Sequence, residues 1–145
     1  MNVWLILLFC FFLCFISITY AYCYSTPDKA VIHHTASHDV TVKEIDRWHK
    51  EKGWDGIGYH FVIRADGEVC EGRKLKKIGA HAKGRNHYVG IALTGYDIFT
   101  PAQIKSLITL LIELDITHIE SHHKQCPGPG LDMNMIRKEI RRRSK

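Results

Sequence analysis

Short apolar runs bounded by polar or glycine residues recur along this chain of 145 residues. Such runs are typical of strands, and the Asp66-Gly67 pair between two of them is a hairpin-turn signal. The pattern predicts strands at residues 30–33, 59–64, 68–71, 88–93 and 116–119.

Helical periodicity separates several of these strands. Thr41 followed by Glu44 has the spacing of a capping box, and Thr100-Pro101 places a proline at a first helical position. The pattern predicts helices at residues 41–52, from Thr100 onward, and at about 131–142. Strands interleaved with helices indicate an α/β fold, which we expect as one domain with a central mixed β-sheet flanked by about three helices.

The first residues of the chain are strongly apolar. Val3 to Ile18 contains no charged residue, and Thr19-Tyr20-Ala21 offers small residues at the offsets of a cleavage site. We expect residues 1–21 to be a signal peptide, with an uncleaved N-terminal membrane anchor as the alternative. The domain at 26–145 would then be secreted or extracytoplasmic, or held at a membrane.

The formal net charge is +5, and much of it lies in residues 137–145. A basic tail favours an anionic surface such as a cell wall or membrane, whereas the simpler interpretation is a solvated, frayed C-terminus. The chain lacks any groove-reading motif, so we expect no nucleic-acid partner. About 120 residues remain after the apolar segment, which suits one domain, and we expect a monomer.

Three cysteines lie outside the apolar run: Cys23, Cys70 and Cys126. If Cys126 is a metal ligand, the other two could pair in an oxidising compartment. That disulfide is a hypothesis only.

Soft and borderline metal ligands concentrate in three places: His33-His34, His122-His123 and Cys126. A catalytic zinc site uses three nitrogen or sulfur ligands and keeps one open position. One histidine from each pair with the cysteine thiolate would supply that set. Spacing alone fits equally well with surface histidines and a buried free cysteine.

A series of motifs reduces that ambiguity. The motifs are residues 31–36, 48–54, 57–61, 66–67, 71–73, 79–87, 89–93, 99–103, 122–123 and 126–128. In this order they resemble the N-acetylmuramoyl-L-alanine amidase family, which includes phage-lysozyme-type amidases and peptidoglycan recognition proteins. The sequences of residues 48–54 and 81–84 are most similar to those of the phage-type enzymes.

The resemblance implies a zinc amidase that hydrolyses the lactyl–L-alanine amide bond of bacterial peptidoglycan. It implies a Zn²⁺ cofactor and muropeptide partners. Carried over by position, it makes His33, His122 and Cys126 the zinc ligands.

The resemblance also assigns residues around the metal. Tyr59 and Lys124 match catalytic positions, with Tyr59 beside the metal and Lys124 near the developing oxyanion. The implied substrate-binding residues are His60, His81, Asn86 and Trp54.

One departure from the family concerns the segment between His122 and Cys126, which is only three residues long here. The alignment of Lys124 is therefore less firm than that of the ligands, and His123 could replace His122. The shortened segment also favours the main alternative function, a non-catalytic peptidoglycan-binding recognition protein. A polymerase-inhibiting role, known in the phage branch, is disfavoured because export would separate the chain from a cytosolic polymerase.

Overall fold

The computed structural model describes residues 27–143. The apolar segment and Cys23 lie outside this range, so the predicted signal or anchor and the Cys23–Cys70 disulfide stay predictions. Five strands and three helices follow along the described chain: β1 Lys29–His34, α1 Val42–Glu51, β2 Phe61–Ile63, β3 Val69–Glu71, β4 Val89–Leu93, α2 Pro101–Glu113, β5 His118–Ser121 and α3 Met133–Arg143.

The strands form one mixed sheet in the order β3-β2-β4-β1-β5. β1 pairs in parallel with both β4 and β5, β2 pairs in parallel with β4, and β3 is antiparallel to β2. The predicted α/β architecture is confirmed. Because β1, β4 and β5 run in the same direction, their carboxyl ends meet at one edge of the sheet, where ligands of α/β folds commonly bind.

Helices α2 and α3 cover one face of the sheet and bury the larger core. Ile32 and Ile91 face them from the central strands, together with Leu107 of α2 and Ile136 of α3. All four side chains are fully buried. Burial of four side chains of this size stabilises the fold by several kcal/mol, at about 1.5–3 kcal/mol for each.

Helix α1 covers the opposite face with a smaller apolar cluster that includes Ile45 and Val62. Val62 on β2 and His33 on β1 are both in register with Ala92 on β4. Side chains at one register position of parallel strands point to the same face, so His33 lies on the α1 face. The sheet therefore separates the main core from the region around His33.

Element bounds agree with the predicted bounds to within about two residues for most strands and helices. Thr41 and Thr100 are the N-caps of α1 and α2, each in a complete capping box. The last helix continues to Arg143 and buries Ile136 and Ile140, so the expectation of a frayed C-terminus is wrong up to that residue, whereas Arg141, Arg142 and Arg143 are exposed to solvent as expected.

Within residues 27–143, no helix combines the length and apolar character that a membrane crossing requires. The anchor alternative concerns the N-terminal segment and is not tested by this observation.

The buried amide of Gln103 connects α2 to the sheet. Its Nε2 donates to the carbonyl oxygens of Ile63 (3.1 Å) and Thr94 (2.9 Å), and its Oε1 accepts from the backbone N–H of Thr100 at 3.0 Å. Only 1% of the residue is exposed. An uncharged amide satisfies all three backbone groups at once.

We expect Gln103→Glu to lower the free energy of unfolding by about 2–4 kcal/mol, because a carboxylate cannot donate to two buried carbonyls. Thr41→Ala, which removes only an exposed N-cap, should cost about 1 kcal/mol. Urea denaturation of both variants measures the difference. An equal or smaller cost for Gln103→Glu would contradict this role of the amide.

Candidate metal centre

Three side chains converge at the sheet edge where β1 and β5 end. The ligand atoms of His33, His122 and Cys126 all lie within 4.8 Å of one another. His33 is the penultimate residue of β1, and His122 directly follows β5, where its N–H donates to the carbonyl of Ile32 at 3.2 Å. Parallel pairing of the two strands therefore brings together histidines that are far apart in sequence.

A tight turn explains how so short a segment returns Cys126 to the cluster. The N–H of His123 donates to the carbonyl of Cys126, and the N–H of Cys126 donates to the carbonyl of His123, both at 3.0 Å. Lys124 and Gln125 form the tip. His123 is exposed and its ring packs on that of His122 at 4.6 Å, so the structure brings His122, and not His123, into the cluster.

The geometry of the cluster fits a zinc ion. Nδ1 of His33 lies 3.9 Å from Sγ of Cys126. Nitrogen and sulfur ligands of tetrahedral zinc are separated by roughly 3.6 Å, given bonds of about 2.1 and 2.3 Å. Two imidazoles and one thiol are also the donor types that zinc prefers. The three residues can hold the ion after small side-chain adjustments.

The two buried ligand candidates differ in whether they must lose a proton before they can bind a metal ion. Burial, reinforced by the neighbouring His81 and His122, lowers the pKa of His33 to about 2, so its imidazole is neutral and has a free lone pair. Burial raises the pKa of the Cys126 thiol, although the His34 N–H, 3.4 Å from Sγ, opposes that shift. Metal binding must therefore displace a proton from sulfur.

Tyr59 lies beside the cluster on the α1 face. Its ring is 5.0 Å from that of His33 and 5.4 Å from that of His49. Burial, followed by the nearby Cys126, raises the pKa of Tyr59 to about 12. The phenol therefore keeps its proton at neutral pH and can act as a hydrogen-bond donor.

Lys124 is exposed at the tip of the turn, next to the cluster in sequence. It makes no hydrogen bond or ion pair with another residue in the range 27–143. Its assignment to catalysis stays a prediction.

His60 and Asn86, both predicted to bind substrate, make backbone contacts in the structure. His60 is 3% exposed; its Nδ1 accepts from the N–H of Gly90 (2.9 Å) and its Nε2 donates to the carbonyl of Lys77 (2.9 Å). Asn86 Oδ1 accepts from the N–H groups of His81 and Ala82, both at 2.8 Å. These contacts hold the loop of residues 79–88, and a further contact with substrate stays a prediction.

Trp54 is 41% exposed and forms one wall of an open groove of about 540 Å³. Its ring packs on His49 at 4.5 Å. Asp55, Lys83 and Asn86 also line the groove, and His81 lies at the side towards the cluster. Aromatic and polar groups that line one concave surface are a common arrangement for binding a ligand.

Arg85 is a structural residue that the sequence did not reveal. Its guanidinium donates to the carbonyls of Ser121 (3.0 Å) and His122 (2.6 Å) and forms an ion pair with Glu120 at 2.7 Å. The 79–88 loop is thereby tied to the end of β5. Arg85 fixes the backbone from which His122 projects, across more than thirty residues of sequence.

A family model described as N-acetylmuramoyl-L-alanine amidase matches residues 24–129. The chain belongs to this family. The match confirms the resemblance and spans every element from β1 to the turn that carries Cys126.

Individual amidase-family proteins agree with this membership. The endolysin of Escherichia phage T7 is 41% identical, with 74% of this chain and 83% of the endolysin covered. The amidase LysC from Clostridium intestinale superposes with a TM-score of 0.74 and 37% identity, covering 80% of this chain and 86% of LysC. Peptidoglycan recognition protein-LE was solved in complex with tracheal cytotoxin, a monomeric diaminopimelic acid-type peptidoglycan. It superposes with a TM-score of 0.67 and 25% identity, covering 77% of this chain and 80% of that protein.

His49 of α1 is bonded to the loop that follows this helix. Its Nδ1 accepts from the N–H of Gly58 at 3.0 Å, and burial lowers its pKa to about 4. In the unfolded chain this imidazole is protonated below about pH 6.5, whereas in the folded chain it is protonated only below about pH 4. The contribution to stability is therefore complete above pH 6.5 and is lost as the pH falls toward 4.

We expect His49→Asn to weaken this acid sensitivity, because the amide oxygen still accepts from Gly58 but does not titrate. The free energy of unfolding, measured with urea at pH 7 and pH 4.5, should fall less in the variant than in the wild type. Other buried histidines keep some pH dependence in both proteins. Identical losses in the two would refute the assignment to His49.

Proposed function

We propose that the chain is a zinc-dependent N-acetylmuramoyl-L-alanine amidase that hydrolyses the lactyl–L-alanine amide bond of bacterial peptidoglycan. The observation that carries the proposal is the convergence of His33, His122 and Cys126 within 4.8 Å at the end of parallel strands, in a chain of this family. A groove with an aromatic wall lies on the side of the cluster where His81 is found.

His33, His122 and Cys126 would hold the zinc ion and leave one side of it open to the substrate. Zinc, when bound, supplies the Lewis acidity that amide hydrolysis at neutral pH requires. The chain supplies ligands that are neutral imidazoles and a thiolate, a set that leaves the centre with a net charge near +1. The sheet and the turn keep the three donors in place.

Tyr59 and Lys124 would assist the reaction by acting on the substrate. The Tyr59 phenol keeps its proton, since its pKa is raised to about 12, and can donate to the carbonyl oxygen of the scissile amide as negative charge develops there. The exposed Lys124 ammonium can approach the same oxygen from the tip of the turn. Either group would stabilise the transition state more than the bound substrate.

Peptidoglycan as the substrate is supported by the relatives. LysC is named an N-acetylmuramoyl-L-alanine amidase, and recognition protein-LE binds a monomeric diaminopimelic acid-type peptidoglycan. In this chain, Trp54 would pack against the stem peptide, and Asn86 and Lys83 line the same groove. The N-terminal apolar segment supports action outside the cytosol.

Cys126→Ser should abolish both zinc binding and turnover, because a serine hydroxyl is a poor zinc ligand at neutral pH. Cys70→Ser is the matched control, since Cys70 lies on edge strand β3 away from the cluster. Zinc content after dialysis and mass spectrometry of digested peptidoglycan provide the two measurements. The wild type and the control should hold about one zinc per chain and release stem peptides with a free L-alanine amine.

Three outcomes of that experiment separate the functions. Full activity in Cys126→Ser would refute the zinc assignment. A wild-type protein that binds peptidoglycan and releases no amine would instead establish the non-catalytic recognition alternative. Loss in both cysteine variants would point to a folding defect, which circular dichroism of the variants detects, and would contradict the expected difference between them.

We expect Tyr59→Phe to lower kcat by about 100- to 1000-fold, the usual effect of removing one donor to a developing oxyanion. KM and zinc content should remain close to those of the wild type, because the phenol is not a ligand and the ring is preserved. Steady-state kinetics on a soluble muropeptide measures the split. A rise in KM with unchanged kcat would assign Tyr59 to substrate binding instead.

A further inference from the structure

The ring of His81 is enclosed at the back of the cluster. Only 8% of the residue is exposed. A Cβ atom at Gly79 or at Gly90 would lie 2.4 Å from Cδ2 of His81, so the ring fills a slot that exists because both residues lack side chains. Gly90 lies on β4 two residues before Ala92, and alternation along a strand places it on the same face as His33.

Both ring nitrogens of His81 have partners. Nε2 lies 3.1 Å from the carbonyl oxygen of Tyr88, and Nδ1 lies 3.0 Å from Nε2 of His33. A carbonyl oxygen only accepts, so Nε2 of His81 must carry the hydrogen. The buried ring is neutral, which leaves Nδ1 as an acceptor.

That assignment fixes the state of His33. Because Nδ1 of His81 accepts, the Nε2 of His33 must be the nitrogen that carries hydrogen. The Nδ1 of His33 then has a free lone pair, and this is the atom that lies 3.9 Å from Sγ of Cys126. A hydrogen bond from the second nitrogen of a histidine ligand is the usual means of setting its tautomer and orientation.

We propose that His81 is a positioning residue that, anchored by the Tyr88 carbonyl, holds His33 in the Nε2–H tautomer and so presents Nδ1 of His33 as the metal-binding atom. This inference rests on the proposed zinc site. The expected substrate contact of His81, which also lines the groove beside Trp54, stays a prediction.

Hydrogen bonds within the loop of residues 79–88 hold the Tyr88 carbonyl in place. Asn86 Oδ1 accepts from the N–H of His81, and the N–H of Tyr88 donates to the carbonyl of Arg85 at 3.0 Å. Arg85 in turn donates to the carbonyl of His122. One loop therefore orients the side chain of His33 and the backbone of His122, and both effects favour a preformed pair of ligands.

The first test uses the full chain without metal. In long-range ¹H–¹⁵N spectra of protein labelled with ¹⁵N-histidine at neutral pH, His33 should show a protonated Nε2 and an unprotonated Nδ1. His81→Leu removes the acceptor and should give His33 a mixture of tautomers. A wild-type His33 with hydrogen on Nδ1 would overturn the proposal whether or not zinc binds.

The second test measures zinc affinity by competition with a chromophoric chelator. His81→Leu should weaken binding by about 10- to 100-fold, the usual effect of losing such a partner. His81→Asn places an amide oxygen near the position of Nδ1 and should restore most of the affinity and the Nε2–H tautomer. His49→Asn, which changes a buried histidine without a contact to His33, should bind zinc as the wild type does.

These readouts distinguish the two proposals. Absence of zinc binding by the wild type would remove the proposed metal function, while the tautomer of His33 would still test the role of His81. Wild-type affinity in His81→Leu, or equal losses in His81→Leu and His81→Asn at unchanged unfolding midpoints, would overturn the positioning role. If His81→Leu fails to fold, the comparison of His81→Asn with the wild type decides, since the proposal requires both to share the tautomer.

Discussion

Parallel pairing of β1 with its two neighbours, β4 and β5, is the interaction on which the site depends. It brings the carboxyl ends of β1 and β5 to one edge, so that His33 and His122 are adjacent although 88 residues separate them in sequence. It also sets the register that aligns His33 with Ala92 and Val62 and places it on the α1 face. A slip of one residue would turn His33 into the main core, where no other ligand candidate lies.

Burial of neutral imidazoles is the second constraint, and it follows from that placement. His33, His49, His60 and His81 are all at most 8% exposed, and burial lowers the pKa of each. Backbone groups at His49, His60 and His81 leave each ring one consistent tautomer. Three of these histidines therefore act as structural hydrogen-bonding groups, and His33 is the buried ring that faces the thiol.

The sequence predicted the elements of the fold and the three residues of the cluster, because hydrophobic period, capping boxes and ordered motifs are local signals. It did not reveal the bonding of Gln103, Arg85 or His81, because their partners lie across the fold and no local pattern encodes them. Family resemblance assigned His60, His81 and Asn86 to substrate on position alone. The structure adds that their polar atoms bond to the protein itself, which sequence position does not reveal.

The three ligand candidates differ in exposure, and this difference indicates how the centre is approached. His33 and Cys126 are buried, at 1% and 4% exposed, whereas His122 is half-buried and adjoins the exposed turn of His123 and Lys124. The rings of Tyr59, His81 and His122 all lie within 5.0 Å of the ring of His33. The cluster is therefore most open to solvent at His122. Arg85 donates to the backbone carbonyl of His122, so the main chain of this ligand candidate is held in place although its side chain is only half-buried.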